Sequence, residues 1–308
     1  MPHACTDLAE LCELLALPES VWRDGRLAAE KFPLDVPYSF LQRMERGNPK
    51  DPLLLQILPQ NVELQDVPGF TVDPVGEGMD PSCRILRKYP GRALLLATSD
   101  CGVRCRFCFR RYFRQHRSGF SLDPIREATD VHEVILSGGD PLSLSNRELT
   151  EVLHGLVRIP HIRRIRIHSR LPIVDPSRVD AGLVDLLGTF CPIYLVLHIN
   201  HPNELDEEVL ERMESLIDIG IPILSQTVLL KGVNDDFELL HRFFERLLDF
   251  RIIPYYLHQL DKVAGASHFE VSSEVGRQLV AELQARLPGY AVPRYVREIV
   301  GRPSKIHV

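Results

Sequence analysis

Between Arg92 and Leu287, apolar segments alternate with segments that carry helix signals, and this alternation limits the possible folds more than any other feature of the chain. The apolar segments have strand length and are rich in Ile, Val, Leu and Tyr. Because they are almost continuously apolar, we expect them in a parallel sheet covered by helices. The six segments are RALLLAT (92–98), EVILSGG (133–139), RRIRIHS (163–169), IYLVLHI (193–199), PILSQTVLL (222–230) and IIPYYLH (252–258).

Six strand–helix units are too few for the common eightfold barrel. They predict an α/β fold that contains an open, partial (β/α)6 barrel, in which chemistry is expected at the C-terminal ends of the strands. The helix signals between the strands are caps, acidic first turns and glycine stops. The predicted helices begin at Ser145 (a capping box with Glu148), at Asp175–Pro176 (ending at Gly188) and at Asn203, and two more cover 235–250 and 272–287.

The flanking regions differ from this core. Residues 1–60 are predicted to form a helical extension, with Asp7 as a helix cap and a second helical segment ending at Gly47. Residues 61–91 are rich in Pro, Gly and Asp and predict an irregular connector. The core is expected to span 92–270, and a C-terminal helix with a short tail 271–308.

Composition excludes several classes of function. The 308 residues carry a formal charge of −6 and 44% hydrophobic residues, so no clustered basic surface for nucleic acid is expected. The N-terminus lacks the basic start and apolar stretch of a signal peptide, and no apolar run approaches membrane-spanning length. Seven irregularly spaced cysteines do not predict a disulfide framework. We therefore expect a cytoplasmic enzyme with neither nucleic-acid nor membrane partners.

Three cysteines follow the first predicted strand at once, in CGVRCRFCFRR. A structural zinc site normally needs four protein ligands, and no fourth Cys or His follows closely. A four-iron cluster held by three thiolates leaves one iron open to a small molecule. The C-x3-C-x2-C spacing of Cys101, Cys105 and Cys108 is the spacing of radical S-adenosylmethionine (SAM) enzymes; zinc binding or coincidence is the alternative.

Polar residues also end the other predicted strands. The second strand ends in SGGDPL, where two glycines allow a close approach of the backbone to a ligand and Asp140 can take an ammonium group. A Gly-Gly-Asp segment alone is usually only a turn, and a single histidine is usually a core residue. Their placement on one edge favours a site. The remaining polar strand ends are His168, Ser169, Arg170, His198, His201, Gln226 and Asp261.

Several long motifs, in order, resemble the lysine 2,3-aminomutase family. They are CGVRCRFCFRRYF, LSGGDPL, RIHSRLPIV, HINHPNE, SQTVLLKGVND, PYYLHQLDKVAGASHF and GRPSK, and the likeness extends to LDVPYSFLQRMERGNPKDPLLLQILP. Within the family the chain resembles the short branch that makes (R)-β-lysine for modification of elongation factor P. The resemblance implies a radical SAM isomerase that converts L-lysine to (R)-β-lysine and draws electrons from a flavodoxin- or ferredoxin-type donor.

The resemblance also implies three cofactors, namely a [4Fe–4S] cluster, SAM and pyridoxal 5′-phosphate (PLP). On residues alone, a lysine so near the terminus would be read as a solvated charge, but GRPSK matches the lysine that forms the internal aldimine with PLP. The matched positions are Cys101, Cys105 and Cys108 for the cluster; Ser137, Gly138, Gly139, Asp140, His198 and Gln226 for SAM; Lys88, Tyr89, Arg92 and Lys305 for PLP; and Arg110, Asp261 and Glu298 for the carboxylate and distal ammonium of lysine.

The chain departs from the long branch of the family in three ways. Glu298 stands where the second acidic position is Asp, and Asp236 stands where a zinc-binding cysteine follows GVND. The cysteine-bearing C-terminal extension is absent, so we expect no zinc-linked oligomer. Two alternatives stay open at this point: an aminomutase for another amino acid, and an iron–sulfur or radical SAM protein without mutase activity.

Overall fold

The computed structural model describes residues 4–78, 84–113, 121–190 and 192–308. Part of the predicted connector, residues 79–83, and the first three residues of the helical extension lie outside the described residues. The fold is α/β, as predicted, and its centre is a mostly parallel sheet. The strands are β1 (Ala4–Cys5), β2 (Val36–Pro37), β3 (Ile85–Leu86), β4 (Arg92–Thr98), β5 (Glu133–Gly138), β6 (Arg164–Ser169), β7 (Ile193–His198), β8 (Ile223–Val228), β9 (Ile253–His258), β10 (Arg294–Arg297) and β11 (Ile306–His307).

Within the described chain, one sheet runs in the order β11-β10-β9-β8-β7-β6-β5-β4-β3, and the pairs from β4 to β10 are parallel. Strands that follow one another in sequence are neighbours in space, so each crossover carries the chain one strand further round the same core. The two outermost strands, β3 and β11, pair antiparallel with their neighbours. This order agrees with the open, partial barrel that the sequence predicts.

All six predicted strands occur within one or two residues of their predicted limits, and the structure adds β10 as a seventh parallel strand. No apolar run marks this strand in the sequence, because RYVR places only Tyr295 and Val296 in the core, between two arginines. Strand β10 continues the sheet beyond β9 and is followed by the hairpin to β11. The C-terminal tail is thereby fixed to the sheet rather than left as an isolated segment.

Most helix starts follow the predicted capping chemistry. The side chains of Asp7, Ser145 and Ser272 accept hydrogen bonds from the first turns of their helices, and Ser145 forms the predicted capping box with Glu148. The helices are α1 (Leu8–Leu14), α2 (Glu19–Lys31), α3 (Tyr38–Leu41), α4 (Pro52–Leu55), α5 (Asp123–Glu127), α6 (Asn146–Val157), α7 (Leu171–Val174), α8 (Ala181–Thr189), α9 (Glu207–Asp218), α10 (Phe237–Asp249) and α11 (Ser273–Arg286).

Three predicted helix limits were wrong. Asp175–Pro176 opens only a 3-10 turn, and the side chain of Asp180 caps α8. Asn203 lies inside another 3-10 turn, and Asp206 caps α9. In both places an aspartate a few residues further on supplies the side-chain cap. The segment that precedes Gly47 is helical only over α3, and the glycine N–H bonds to the carbonyl of Leu15 instead of ending a helix.

The main hydrophobic core lies between the sheet and its covering helices and extends into the N-terminal helices. A smaller apolar cluster packs on the same side of the sheet as the cysteine segment and includes Phe70, Phe107, Leu260 and Phe269. Phe107 lies between two of the cysteines in sequence, so the cysteine segment is anchored by its own aromatic side chain. Across the described residues, none of the helices combines the length and the apolar character that crossing a bilayer would require.

Candidate active site

The cysteine segment begins where β4 ends, and the end of β5 holds it there. Gly139 N–H donates to Thr98 O at 2.7 Å, and Asp140 N–H donates to Asp100 O at 2.7 Å. Gly138 has φ 111°, and a Cβ at this position would lie 2.6 Å from Thr98 O. Only glycine tolerates both the conformation and the close approach. The two glycines predicted to contact SAM therefore also position the chain that carries the cysteines.

The three thiols lie near enough to influence one another. Burial raises the pKa of Cys101 well above its ordinary value, and the charges of Cys108, Asp140 and Cys105 raise it further. Burial and Cys105 likewise raise the pKa of Cys108 to about 11. The Cys101 side chain still reaches solvent-accessible space, which is the environment of a residue that lines a concavity. Three thiolates at this place would need positive charge beside them, which the iron atoms of a cluster would supply.

The thiols are not gathered around one point. In the parts of the chain that the structure describes, no group of three His, Cys, Asp or Glu side chains is arranged to hold a single metal ion. A zinc site requires each ligand to lie about 2.0–2.3 Å from one ion. The thiolates of a four-iron cluster instead bind different irons, so their sulfurs lie further apart. The zinc and cluster alternatives thus differ in how far apart the three sulfurs must lie.

The carboxylate of Asp140 is fully engaged inside the protein. It accepts hydrogen bonds from the N–H groups of Leu142, Arg170 and Leu171 at 3.0, 2.7 and 2.8 Å and from Ser169 Oγ at 2.6 Å. Burial raises its pKa, and these four bonds act against that rise. A carboxylate offers about four acceptor positions, so none is left for an ammonium group. Asp140 ties the ends of β5 and β6 together.

Three histidines lie at or next to the C-terminal ends of β6, β7 and β9. Burial lowers the pKa of His168 and His198 well below the usual value, and burial and Lys305 lower the pKa of His258 to about 3, so all three rings are neutral at pH 7. Nε2 of His168 and Nε2 of His198 are buried and have no hydrogen-bond partner among the described residues. His198 stacks on Phe107 at 5.5 Å and pairs in register with Gln226. Buried polar atoms without partners are rare, so these two nitrogens mark space for a polar ligand.

Arg110 reaches the same interior, where an acid that the sequence analysis missed holds it. Its Nε and Nη2 donate to the two carboxylate oxygens of Glu77, both at 2.7 Å, and its Nη1 donates to Ser137 Oγ at 3.1 Å. The Glu77 side chain is 5% exposed. Burial would raise the pKa of Glu77, but Arg110 and Lys88 lower it. Arg110 thus forms the pair of hydrogen bonds that was predicted for a substrate carboxylate, but it forms them with the carboxylate of Glu77.

The hairpin between β10 and β11 brings Lys305 to Glu298. Lys305 Nζ donates to Glu298 Oε2 at 2.6 Å, and Tyr89 Oη donates to Oε1 at 2.6 Å. Burial would raise the pKa of Glu298, but Lys305 and Tyr89 lower it. Lys88 Nζ lies 3.6 Å from the same carboxylate, and Arg92 packs over the Tyr89 ring at 5.2 Å. The four residues predicted to contact PLP therefore lie together.

Asp261 completes this group from the end of β9. Burial raises its pKa to about 6, Lys305 lowers it and Glu298 raises it, so the carboxylate faces both residues. The ring of His168 is influenced by both Lys305 and Arg110. Lys88 lies 3.5 Å from Glu77, the partner of Arg110, and 3.6 Å from Glu298, the partner of Lys305, so the cysteine segment and the C-terminal tail meet at one interior. Lys88 and Glu298 also line a cavity of about 390 Å³ that opens beside this interior.

Sequence reasoning missed Glu77 and His258. His258 ends the sixth predicted strand, and the rule that placed His168 and His198 at strand ends would have found it. Glu77 lies in the irregular connector, where no periodicity predicts position. A weak signal existed, because Glu77 stands between Gly76 and Gly78, both at positive φ. Two glycines that flank an acidic residue indicate a tight turn that carries its side chain.

A parallel α/β sheet with three cysteines directly after its first long strand defines a radical SAM protein. The model of the radical SAM superfamily matches residues 95–244. A crystal structure of Streptococcus suis SuiB bound to S-adenosylmethionine has the same fold, with a TM-score of 0.52 at 14% identity. The match covers 69% of this chain and about half, 51%, of the SuiB chain.

The chain belongs to the lysine 2,3-aminomutase family. It is 45% identical to L-lysine 2,3-aminomutase of Escherichia coli, over 97% of this chain and 90% of that enzyme. The L-lysine 2,3-aminomutase of Haemophilus influenzae is 41% identical over 99% of this chain and 93% of its own. That of Clostridium subterminale is 36% identical over 89% of this chain and 68% of its own.

Proposed function

We propose that this protein converts L-lysine to (R)-β-lysine. Cys101, Cys105 and Cys108 hold a [4Fe–4S] cluster, the ends of β5, β7 and β8 hold SAM, and Lys305 carries PLP. The observation that supports this most is that Lys305, Glu298 and Asp261 face the same interior as Arg110, two residues beyond the last cysteine. We also propose domain limits at 61–91 for the connector and 92–270 for the core. The proposed site contains residues from both regions.

When bound, the cluster with SAM supplies a 5′-deoxyadenosyl radical that takes hydrogen from an unactivated C–H bond, and PLP holds the migrating amino group. The protein has to hold lysine at both ends before that radical appears. Arg110 offers a planar, two-pronged grip for the carboxylate. Asp261 and Glu298 supply negative charge for the distal ammonium, and the neutral, buried histidines offer ring nitrogens to a polar ligand in the same interior.

The experiment that tests this function is anaerobic reconstitution with iron, sulfide, SAM, PLP and L-lysine, followed by chiral analysis of the amino acids. We expect (R)-β-lysine, formed only when all five are present with a reductant of the flavodoxin or ferredoxin class. Failure to form any β-amino acid with the cluster and PLP both bound would refute the proposal. Resemblance to the short branch further supports delivery of the product to elongation factor P in the cytoplasm.

An aminomutase for glutamate is the competing activity, and the distal acids disfavour it. A bound glutamate would place a third carboxylate beside Asp261 and Glu298, and like charges in a partly desolvated site cost several kcal/mol. Lysine instead gains charge-assisted contacts of roughly 1.5–3 kcal/mol each. We therefore expect turnover of lysine to exceed turnover of glutamate by orders of magnitude. Equal rates with the two substrates would contradict the proposed distal site.

Asp261 predicts a pH dependence as well. Burial raises its pKa to about 6, and only the ionised form pairs with an ammonium. We expect kcat/KM for lysine to rise as the pH increases through about 6. In Asp261→Asn this rise should disappear and KM should increase roughly tenfold to hundredfold, the equivalent of one charge-assisted contact. Iron content and PLP absorbance serve as controls and should not change; a variant that keeps the pH profile would exclude Asp261 as the group that titrates.

Glu77 gives a second test of the carboxylate grip. If Arg110 binds the carboxylate of lysine, the substrate must displace Glu77, which accepts hydrogen bonds from Nε and Nη2 of Arg110. We expect Glu77→Gln to lower KM for lysine by roughly tenfold, because an amide competes less well for the guanidinium. Glu270→Gln is a matched control, since Glu270 pairs with Lys262 at the surface. An increase of KM would mean that Glu77 supports Arg110 instead of competing for it.

A further inference from the structure

Arg170 lies under the cysteine segment, between β6 and α7, and none of the roles described so far uses its side chain. The guanidinium is 6% exposed. Its Nη1 donates to Cys105 Sγ at 2.8 Å. Its own backbone N–H is fixed by Asp140, the acid that joins β5 to β6. An arginine on the sheet edge thus donates directly to one of the three thiols.

The guanidinium is held rigidly in this position. Its Nη2 donates to Gln56 Oε1 at 2.6 Å and to Glu204 Oε2 at 3.2 Å. Gln56 also bonds to Glu204 through its side chain and accepts the N–H of Arg106 on its backbone oxygen at 2.9 Å. One glutamine therefore orders both the cysteine segment and the arginine that contacts it. A donor fixed in this way loses little conformational freedom when it makes its bond.

The neighbouring arginines do not share this contact. Arg106 and Arg111 both pair with Glu63, and Arg110 pairs with Glu77. Among the side-chain hydrogen bonds of residues 4–78, 84–113, 121–190 and 192–308, Arg170 is the arginine that donates to a cysteine sulfur. Burial would lower the pKa of Arg170, but Cys105 and Glu204 raise it, so the group is a cation. The contact is thus a charge-assisted N–H···S bond in a dry environment.

We propose that Arg170 is a positioning residue that donates to the Cys105 thiolate and raises the reduction potential of the cluster. The inference rests on the proposed function, in which Cys105 binds iron. The cluster takes one electron from a flavodoxin- or ferredoxin-type donor, and its core charge falls from 2+ to 1+. Hydrogen bonds to cluster sulfurs stabilise the more negative, reduced state. With Arg170 in place, the cluster would therefore accept the electron that starts the reaction more easily.

The test is an anaerobic redox titration of the reconstituted protein, followed by electron paramagnetic resonance. Removing Arg170 alone leaves Glu204 buried and unpaired, so the comparison is between Glu204→Gln and the double variant R170Q/E204Q, which differ only in the guanidinium. At a fixed potential we expect the ratio of reduced to oxidised cluster to be at least tenfold lower in the double variant. For one electron, this ratio corresponds to a reduction potential that is lower by about 59 mV. Arg170→Lys, which keeps the charge without the planar fork, should fall between them.

Arg178→Gln is the matched control, because Arg178 donates to the carbonyl oxygens of Leu142 and Leu144 near the same edge. It removes the same charge without an N–H···S bond and should leave the potential unchanged. Equal potentials in E204Q and R170Q/E204Q would overturn the inference, as would an equal shift in R178Q. Loss of iron from the double variant alone would also overturn it, since Arg170 would then be scaffold. Absence of iron from the unmutated protein would instead refute the proposed function.

Discussion

Cys105→Ala is expected to lose its iron and its turnover to background while keeping the fold. Two thiolates cannot hold a four-iron cluster that the protein binds through only three, so no partial retention is expected. The side chain is half-buried and contacts Arg170, but the cysteine segment is anchored independently by Phe107 and by the backbone bond from Arg106 to Gln56. Iron analysis and the visible absorbance of the reconstituted protein measure the loss, and circular dichroism checks the fold.

Cys5→Ala provides the control for this variant. Cys5 is a free, buried cysteine in β1, and its Sγ donates to the backbone oxygen of Asp7. It should bind as much iron as the unmutated protein. Iron at the unmutated level in the Cys105 variant would show that the three-cysteine site is not where the cluster binds. A variant that loses both iron and its circular dichroism spectrum would place the thiol in the scaffold.

The strands were predictable because buried parallel strands leave a strong trace in sequence. Strands β4, β5 and β7 are buried at most positions and are almost continuously apolar, whereas β6 and β8 bury every second residue and show the alternation of a strand. Strands β3, β10 and β11 are edge or near-edge strands of two to four residues, and their sequences show no such run. The helix starts that failed were those with two possible capping residues close together, because composition does not determine which of the two caps.

The candidate site was predictable in its residue types and less so in its contacts. The spacing of the cysteines and the polar strand ends identified the edge of the sheet where His168 and His198 now face inwards. A sequence does not show how many hydrogen-bond donors surround a given acidic side chain. Asp140 has the charge to bind an ammonium, yet four internal donors saturate it. Glu77 lies in an irregular turn, and only the folded chain brings it onto Arg110.

Lys305→Ala, in the C-terminal tail, is expected to have a similarly large effect on cofactor attachment and turnover. Without this lysine we expect no covalent attachment of PLP and turnover at background. The sequence holds six lysines, at 31, 50, 88, 231, 262 and 305, so a covalent label has few possible sites. Borohydride reduces the carbon–nitrogen double bond that a lysine amine forms with the PLP aldehyde. Peptide mapping after reduction should therefore place the label on Lys305 in the unmutated protein and nowhere in the variant.

Lys88 is the other lysine that could form the covalent bond with PLP. It reaches the same carboxylates as Lys305, at 3.5 Å from Glu77 and 3.6 Å from Glu298, and it also donates to Val75 O at 3.0 Å. Lys305 makes its one short contact with Glu298, at 2.6 Å. An amine attacks an aldehyde only after losing its proton. Breaking the single contact with Glu298 would free the Lys305 amine, whereas the Lys88 amine has three acceptors to leave.

A label on Lys88 would therefore contradict both the proposed role of Lys305 and the reading of the β10–β11 hairpin as the element that delivers it. Lys262→Ala is the control, because Lys262 pairs with Glu270 at the surface and lies outside the proposed site. It should keep the full PLP label and turnover. If Lys305→Ala binds PLP covalently at another lysine and still forms β-lysine, then the interior formed by Asp261, Glu298 and Tyr89 does not determine which amine reacts. If it binds PLP without a covalent bond and is inactive, the phosphate and ring contacts from Tyr89, Lys88 and Arg92 are sufficient for binding, and Lys305 contributes the nucleophile alone.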